Sequence, residues 1–200
     1  IAEDLGTIGE NVRETLKRFK MLSYRLFYFE RNYPDPSFLP PEKYPGMALC
    51  ALTTHDLPTI SGYWKARDLE VKKQLGQFTD KKEFDNRIRE RERDRRLMLA
   101  ALKSQVLIPD DYPSDTHIIP EMTPELCLAI YKYLASTPCK LVLVSLDDII
   151  ATVNQQNMPG TIDSYPNWMQ KIPLTLEKIM ADKRFIDLSE MFKQTFQREI

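Results

Sequence analysis

The chain has only six glycines, three cysteines and two histidines in 200 residues. Each scarcity excludes something. Three cysteines (Cys50, Cys127 and Cys139) are an odd number with no metal-like spacing. This rules out a disulfide framework or zinc cluster and predicts buried free thiols in a reducing cytoplasm. Two histidines, His55 and His117, leave no H-E-x-x-H signature for a catalytic metal. His117 sits in a proline-flanked loop and is expected to be structural or solvent-facing. A net charge of −1 gives no global field for nucleic acid or an anionic membrane surface. The apolar run Leu141 to Leu146 falls far short of the ~20 residues of a membrane span. Fourteen prolines against six glycines point to stiffened loops rather than flexible linkers. The chain opens on Ile1-Ala2-Glu3-Asp4 with no initiator Met, and is expected to be cut from a longer one.

Four short stretches read as strands: the tail Ile1-Ala2-Glu3, then Arg25 to Phe29, Met47 to Leu52, and Leu141 to Leu146. Each is nearly continuous in apolar residues, the pattern of parallel strands covered on both faces. Helices are expected from Ile8 to Phe19, Glu83 to Leu102, Thr123 to Leu134 (with Thr123 as N-cap), Leu174 to Ala181 and Leu188 to Phe196. The run Arg87 to Arg96 carries six basic and three acidic residues. Its mixed signs predict a solvated helix face laced by pairs such as Glu92 with Arg96.

Strand followed by helix is the βα pattern of α/β folds, whose active sites lie at strand C-terminal ends. Three acidic clusters stand there: Glu3-Asp4, His55-Asp56 and Asp147-Asp148. Carboxylates converging from separate strands suit glycosidic-bond chemistry, in which one donates a proton and others stay ionised. The same residue types are common helix N-caps, and both readings stand on spacing alone.

Three segments carry a resemblance. Ile1-Ala2-Glu3-Asp4-Leu5-Gly6 comes first, and Thr53-Thr54-His55-Asp56-Leu57-Pro58-Thr59 with Gly62-Tyr63-Trp64 second. Asn157-Met158-Pro159-Gly160-Thr161 with Tyr165-Pro166-Asn167-Trp168 is the third. In this order they are similar to segments of the 4-α-glucanotransferase (amylomaltase, or disproportionating enzyme) family. The resemblance implies an α/β fold: the second half of a (β/α)8 TIM barrel, strands five to eight. A mostly helical insertion, about 66–122, would lie between strands seven and eight, and the whole of 1–200 would belong to the catalytic barrel.

The resemblance also implies a function: transfer of α-1,4-glucan segments to glucose or a maltooligosaccharide by a retaining double displacement. Glu3 would be the general acid/base, and Asp56 the carboxylate that holds the hydroxyls of the reacting sugar. Sugar contacts would come from His55, Asp4, Trp64, Asn157, Pro159 and Gly160. Tyr63 and Trp168 are further aromatic candidates, and for all three aromatics core burial is an equal alternative. No metal or organic cofactor is implied, and the partners are α-1,4-glucans and maltooligosaccharides, not nucleic acid or membrane.

Two departures stand out. No R-x-D-H-type segment, home of the family's nucleophile, occurs in the chain, and Met169-Gln170 replaces the basic residues usual after P-N-W. An α-amylase-type hydrolase and a non-catalytic glucan-binding fragment remain alternatives. The isolated chain is expected to be inactive and to self-associate through exposed barrel edges.

Overall fold

The computed structural model describes residues 1–6, 8–9 and 11–196. Its centre is a parallel sheet of β1 (Ser23–Leu26), β2 (Ala48–Ala51) and β3 (Leu141–Leu143), in that spatial order. The register pairs Tyr24 with Leu49 and Leu141, and Leu26 with Ala51 and Leu143. Ala2 makes an isolated parallel bridge to Ser23, so the first segment lies beside β1. Four segments thus run side by side in chain order, all pointing the same way. That is an α/β arrangement.

Helices fill the connections. They are α1 (Val12–Arg18), α2 (Ile60–Trp64), α3 (Arg67–Gln74), α4 (Lys81–Ser104), α5 (Pro124–Ala135), α6 (Leu146–Ile149), α7 (Leu176–Ala181) and α8 (Lys183–Phe196). α1 is shorter than the expected Ile8 to Phe19 and buries no residue; Glu10 lies outside the described residues. α5 shows how sequence makes a helix here. Thr123 Oγ1 accepts the Leu126 N–H at 3.2 Å, Pro124 occupies the first turn, and Leu126, Ile130 and Leu134 recur on the buried side.

Two strands end earlier than their apolar runs. After Leu26 the chain turns, and Phe29 and Glu30 N–H both donate to Leu26 C=O. Phe27 and Tyr28 swing into the helical core, stacking on Phe38 at 4.4 Å and Tyr63 at 4.3 Å. Leu146 belongs to α6 and not to β3. The expectation of two covered faces holds for β2, which is buried at all four positions, but not for β3. Ala48, Cys50 and Leu52 pack with Val142 and Val144 against the helices. On the opposite face Leu141 and Leu143 are 46% and 49% exposed.

The charge run is not a purely solvated face either. Arg91 makes a two-pronged pair with buried Asp68 at 2.8 and 2.9 Å, and its guanidinium lies 3.6 Å from the Tyr63 ring centre. Asp94 takes two hydrogen bonds from Arg31, each 3.2 Å, and one from the Tyr63 hydroxyl. Arg95 covers the Trp64 ring and donates to Ile119 C=O at 2.9 Å. Three charged residues, one turn or less apart, thereby bolt α4 to the core. Arg87–Glu90 is an exposed pair of the expected kind, whereas Glu92 and Arg96 do not pair among the described residues. The three cysteines are buried free thiols, and among the described residues no helix is long and apolar enough to cross a membrane.

The tightest join is between α2 and the chain after α6. A Cβ built on Gly62 would overlap the carbonyl oxygen of Val153. Thr59 Oγ1 donates to Thr152 C=O and accepts the Gly62 N–H at 3.0 Å. Two backbones meet here with no room for a methyl group. Replacing Gly62→Ala is expected to cost about 1–3 kcal/mol, the usual penalty of overpacking. Urea unfolding of the protein and its variant measures it.

Candidate active site

A cleft of about 240 Å³ opens at the C-terminal ends of β2 and β3, lined by Thr53, Thr54, His55, Leu143, Asp147 and Gln156 among others. The chain leaves β2 into a tight turn. Thr53 Oγ1 donates to Pro58 C=O at 2.9 Å, Leu57 N–H to Thr54 C=O at 3.2 Å, and Asp56 N–H to Thr54 Oγ1 at 3.3 Å. His55 and Asp56 stand at its apex, their side chains 55% and 46% exposed.

The third motif folds back onto this turn. Asn157 Nδ2 donates to Asp56 Oδ1 at 2.6 Å, and Asn157 N–H donates to His55 C=O at 3.0 Å. His55 Nε2 lies 3.3 Å from the same Oδ1. Among the described residues no side chain reaches Asp56 Oδ2. The carboxylate is thus held at one oxygen and open at the other. Buried Gln155 reinforces the joint, donating to Asp56 C=O at 3.3 Å and to Asn157 C=O at 2.6 Å. Tyr165 OH donates to Gln155 C=O at 2.7 Å. Asn167 closes the loop: its Oδ1 accepts the Met158 N–H and its Nδ2 donates to Thr161 Oγ1, both 2.8 Å. Trp168 N–H donates to Gln156 C=O at 2.8 Å, and the indole sits 5.0 Å from the His55 ring.

Behind the turn lies Asp148, 1% exposed. It accepts the Ile60 N–H at 2.7 Å and the Tyr131 hydroxyl at 2.7 Å. Burial pushes its carboxyl up to about 6, although both hydrogen bonds pull the other way. Asp148 is therefore a structural anchor for the start of α2. Its neighbour Asp147 faces the cleft and accepts Gln156 Nε2 at 3.0 Å.

The remaining sequence candidates separate. Glu3 follows the Ala2 bridge and is exposed. With the sheet parallel throughout, it shares the strand-end side with Asp56, with β1 between the two segments that carry them. Asp4 turns inward and is 4% exposed. It accepts Ser23 Oγ at 2.6 Å and Tyr24 N–H at 2.7 Å, with Arg25 at 3.7 Å. Burial raises its carboxyl, but these donors outweigh burial and the net pKa is lowered. Its partners are all protein groups, so a sugar contact gives way to a clamp between the first segment and β1.

Trp64 is fully buried, and its Nε1–H donates to Ile119 C=O at 2.8 Å. It offers no surface to a ligand; a ring covered by Arg95 of α4 and bonded to Ile119 belongs to the core. Pro159 and Gly160 form an exposed turn, with Gly160 at φ +80°. Gln155 and Gln156 were not singled out by sequence, since a glutamine between two motifs carries no pattern of its own. Among the described residues no three His, Cys, Asp or Glu side chains gather as a metal site.

Comparison with known proteins gives a consistent picture. A family model described as 4-alpha-glucanotransferase matches residues 1–175. The 4-alpha-glucanotransferase of Mycobacterium bovis is 33% identical over 201 residues, covering 95% of this chain and 26% of the relative. That of Haemophilus influenzae is 32% identical over 187 residues, covering 92% of this chain and 26% of the relative. The crystal structure of amylomaltase from Corynebacterium glutamicum superposes with a TM-score of 0.82 at 25% identity, over 95% of this chain and 28% of that one. The chain spans about a quarter of the length of the curated relatives it matches.

Asp148 makes the site's support sensitive to pH in a defined direction. Its folded pKa, about 6, lies above the ~3.9 of an unfolded chain. Its stabilising contribution is therefore full below ~4 and is lost as pH rises through about 6. Asp148→Asn removes this loss. The stability of the variant relative to the parent is expected to rise between pH ~4 and pH ~6 and to level off above. A difference that stays flat across that window in thermal unfolding would mean Asp148 is ionised throughout.

Proposed function

The chain belongs to the 4-alpha-glucanotransferase family, and on that premise we propose that it supplies two of three catalytic carboxylates to glucan transfer in the full-length protein. The Ala2 segment, β1, β2 and β3 are then barrel strands five to eight. Residues 66–122, which contain α3, α4 and the loop leading to α5, are a helical insertion between the last two. The exposed apolar face at Leu141 and Leu143 is covered by the rest of that barrel. The buried free thiols suit a cytoplasmic location.

One observation carries the reading: Asp56 is clasped at Oδ1 by Asn157 and His55 and open at Oδ2. A carboxylate fixed in this way can accept hydroxyl hydrogens from a sugar whose charge and shape change during reaction. Hydrogen bonds that tighten in the transition state lower the barrier, provided the acceptor does not have to reorganise. Glu3 stands on the far side of β1 from the Asp56 turn and is free of protein partners among the described residues.

In the proposed mechanism the C1–O bond of an α-1,4-glucan breaks as Glu3 gives its proton to the leaving oxygen. A nucleophilic carboxylate, for which this chain has no candidate segment, forms the new bond to C1. The 4-hydroxyl of an incoming glucan then attacks C1 and releases that carboxylate, while its proton returns to Glu3. A sugar hydroxyl in place of water at the second step makes the enzyme a transferase. No step requires a cofactor. His55 holds Asp56 and presents its ring edge to the same sugar.

The test uses the full-length protein with maltotriose. Disproportionation is expected, giving both glucose and oligosaccharides longer than the substrate; a hydrolase would give shorter products only. Glu3→Gln keeps shape and removes the transferable proton, so turnover is expected to fall by about 10²–10⁴-fold. Asp56→Asn is expected to lower kcat more than it raises KM. Near-normal turnover by the Glu3 variant would overturn the acid/base assignment.

A further inference from the structure

We propose that Trp168 is the stacking platform for a glucose unit beyond the one gripped by Asp56, and that it sets how strongly the protein holds longer glucan chains. The inference rests on the glucan-transfer reading above and assigns a part of that site which the carboxylates leave open.

The chain has two tryptophans, and the fold treats them oppositely. Trp64 is 0% exposed and Trp168 is 64% exposed. A ring left that open does not serve the core. Its backbone is also unfavourable: Trp168 sits at φ +61°, a region that bulky side chains rarely enter. Such conformations persist only where surrounding bonds enforce them, and they gather at binding sites. The enforcing bonds are present here. Trp168 N–H is tied to Gln156 C=O, and the preceding Asn167 is bonded on both sides of its amide to Met158 and Thr161. The loop thus spends several hydrogen bonds to present one apolar ring to solvent at a fixed place.

That place adjoins the carboxylate. The indole centre is 5.0 Å from the His55 ring, the two planes are inclined by 42°, and His55 Nε2 lies 3.3 Å from Asp56 Oδ1. Indole, imidazole and carboxylate therefore form a continuous strip. A pyranose matches its chemistry. The C–H groups on one sugar face lie against the flat π surface, while rim hydroxyls meet the polar ring edge and the carboxylate. The platform asks for an apolar face with a hydroxylated rim, and a glucan repeats that pattern at every unit. Each added unit that reaches the indole adds contact area without adding charge.

The experiment compares full-length Glu3→Gln with full-length Glu3→Gln/Trp168→Ala by isothermal titration with D-glucose, maltose and maltoheptaose. Affinity for maltoheptaose is expected to fall by about ten-fold in the double variant, in line with the loss of one stacked ring and its buried area. Affinity for D-glucose, which fills one subsite, is expected to stay the same. Trp168→Phe in the same background should recover most of the loss. The melting temperature of the double variant should match its parent, because among the described residues the ring packs on no core residue. Unchanged maltoheptaose affinity, an equal loss for D-glucose, or a lowered melting temperature with affinity intact would each overturn the proposal. The two readings fail separately. Retained turnover in Glu3→Gln alone strikes the acid/base role, and binding insensitive to Trp168 strikes this one.

Discussion

The close approach of α2 to residues 152–153 is the constraint on which the site depends. Gly62 leaves no space between its Cα and the Val153 carbonyl, Thr59 bonds to Thr152 C=O, and Asp148 holds the Ile60 N–H. All three contacts join the chain leaving β2 to the chain leaving β3. Asp56 and Leu57 lie four and three residues before Ile60; two residues after Val153 the chain reaches Gln155 and then Asn157. The hydrogen bonds of Gln155 and Asn157 to Asp56 and His55 can form because their backbones are already registered by this join. A loose contact there would leave two loops whose polar ends met only part of the time. Hydrogen bonds of this kind contribute about 1 kcal/mol each in water-exposed settings, too little to order a loop unaided.

Charge is distributed by the same logic. Asp148 is buried at the price of a carboxyl that resists ionisation, and it gains position instead of strength. Asp4 is also buried, but four donors surround it and it stays ionised. Arg91 and Asp68 form a pair whose disruption would strand a buried charge, costing about 3–5 kcal/mol. Exposed pairs such as Lys183–Asp187 are worth about 0–1 kcal/mol each. The carboxylates proposed for chemistry, Glu3 and Asp56, are both accessible at the sheet's C-terminal side. Framework charges are turned inward and saturated. Charges proposed to meet a ligand keep an oxygen free.

The sequence revealed the sheet and the site motifs for a physical reason: both are local in the chain. An apolar run marks a buried strand whatever it pairs with, and His55-Asp56 with Asn157 is readable because each motif is a contiguous string. What the strings could not reveal is direction. Asp4 stands beside Glu3, yet alternation along an extended segment sends the two side chains to opposite sides, one to solvent and one to Ser23 and Arg25. Trp64 belongs to the same string as Asp56, but a helix intervenes and carries its ring into the core. The charge run misled by composition. Arg91, Asp94 and Arg95 differ from their solvated neighbours only in facing Tyr63, Asp68 and Trp64, partners that lie 23 or more positions away in the chain. Strand ends were overestimated for a related reason. Phe27 and Tyr28 are as apolar as a strand residue needs to be, and their aromatic stacking on Phe38 and Tyr63 decides where the chain turns.

The central claim is that Glu3 and Asp56 act on one glycosidic centre. A crystal structure of the full-length protein carrying Glu3→Gln, with a maltooligosaccharide bound, tests it most directly. The account predicts a glycosidic oxygen within about 2.6–3.2 Å of the side chain at position 3. It also predicts ring hydroxyls of the adjoining sugar on Asp56 Oδ2, with the Asn157 bond to Oδ1 intact. An oligosaccharide seated away from position 3, or bound with Asp56 touching no sugar, would contradict it.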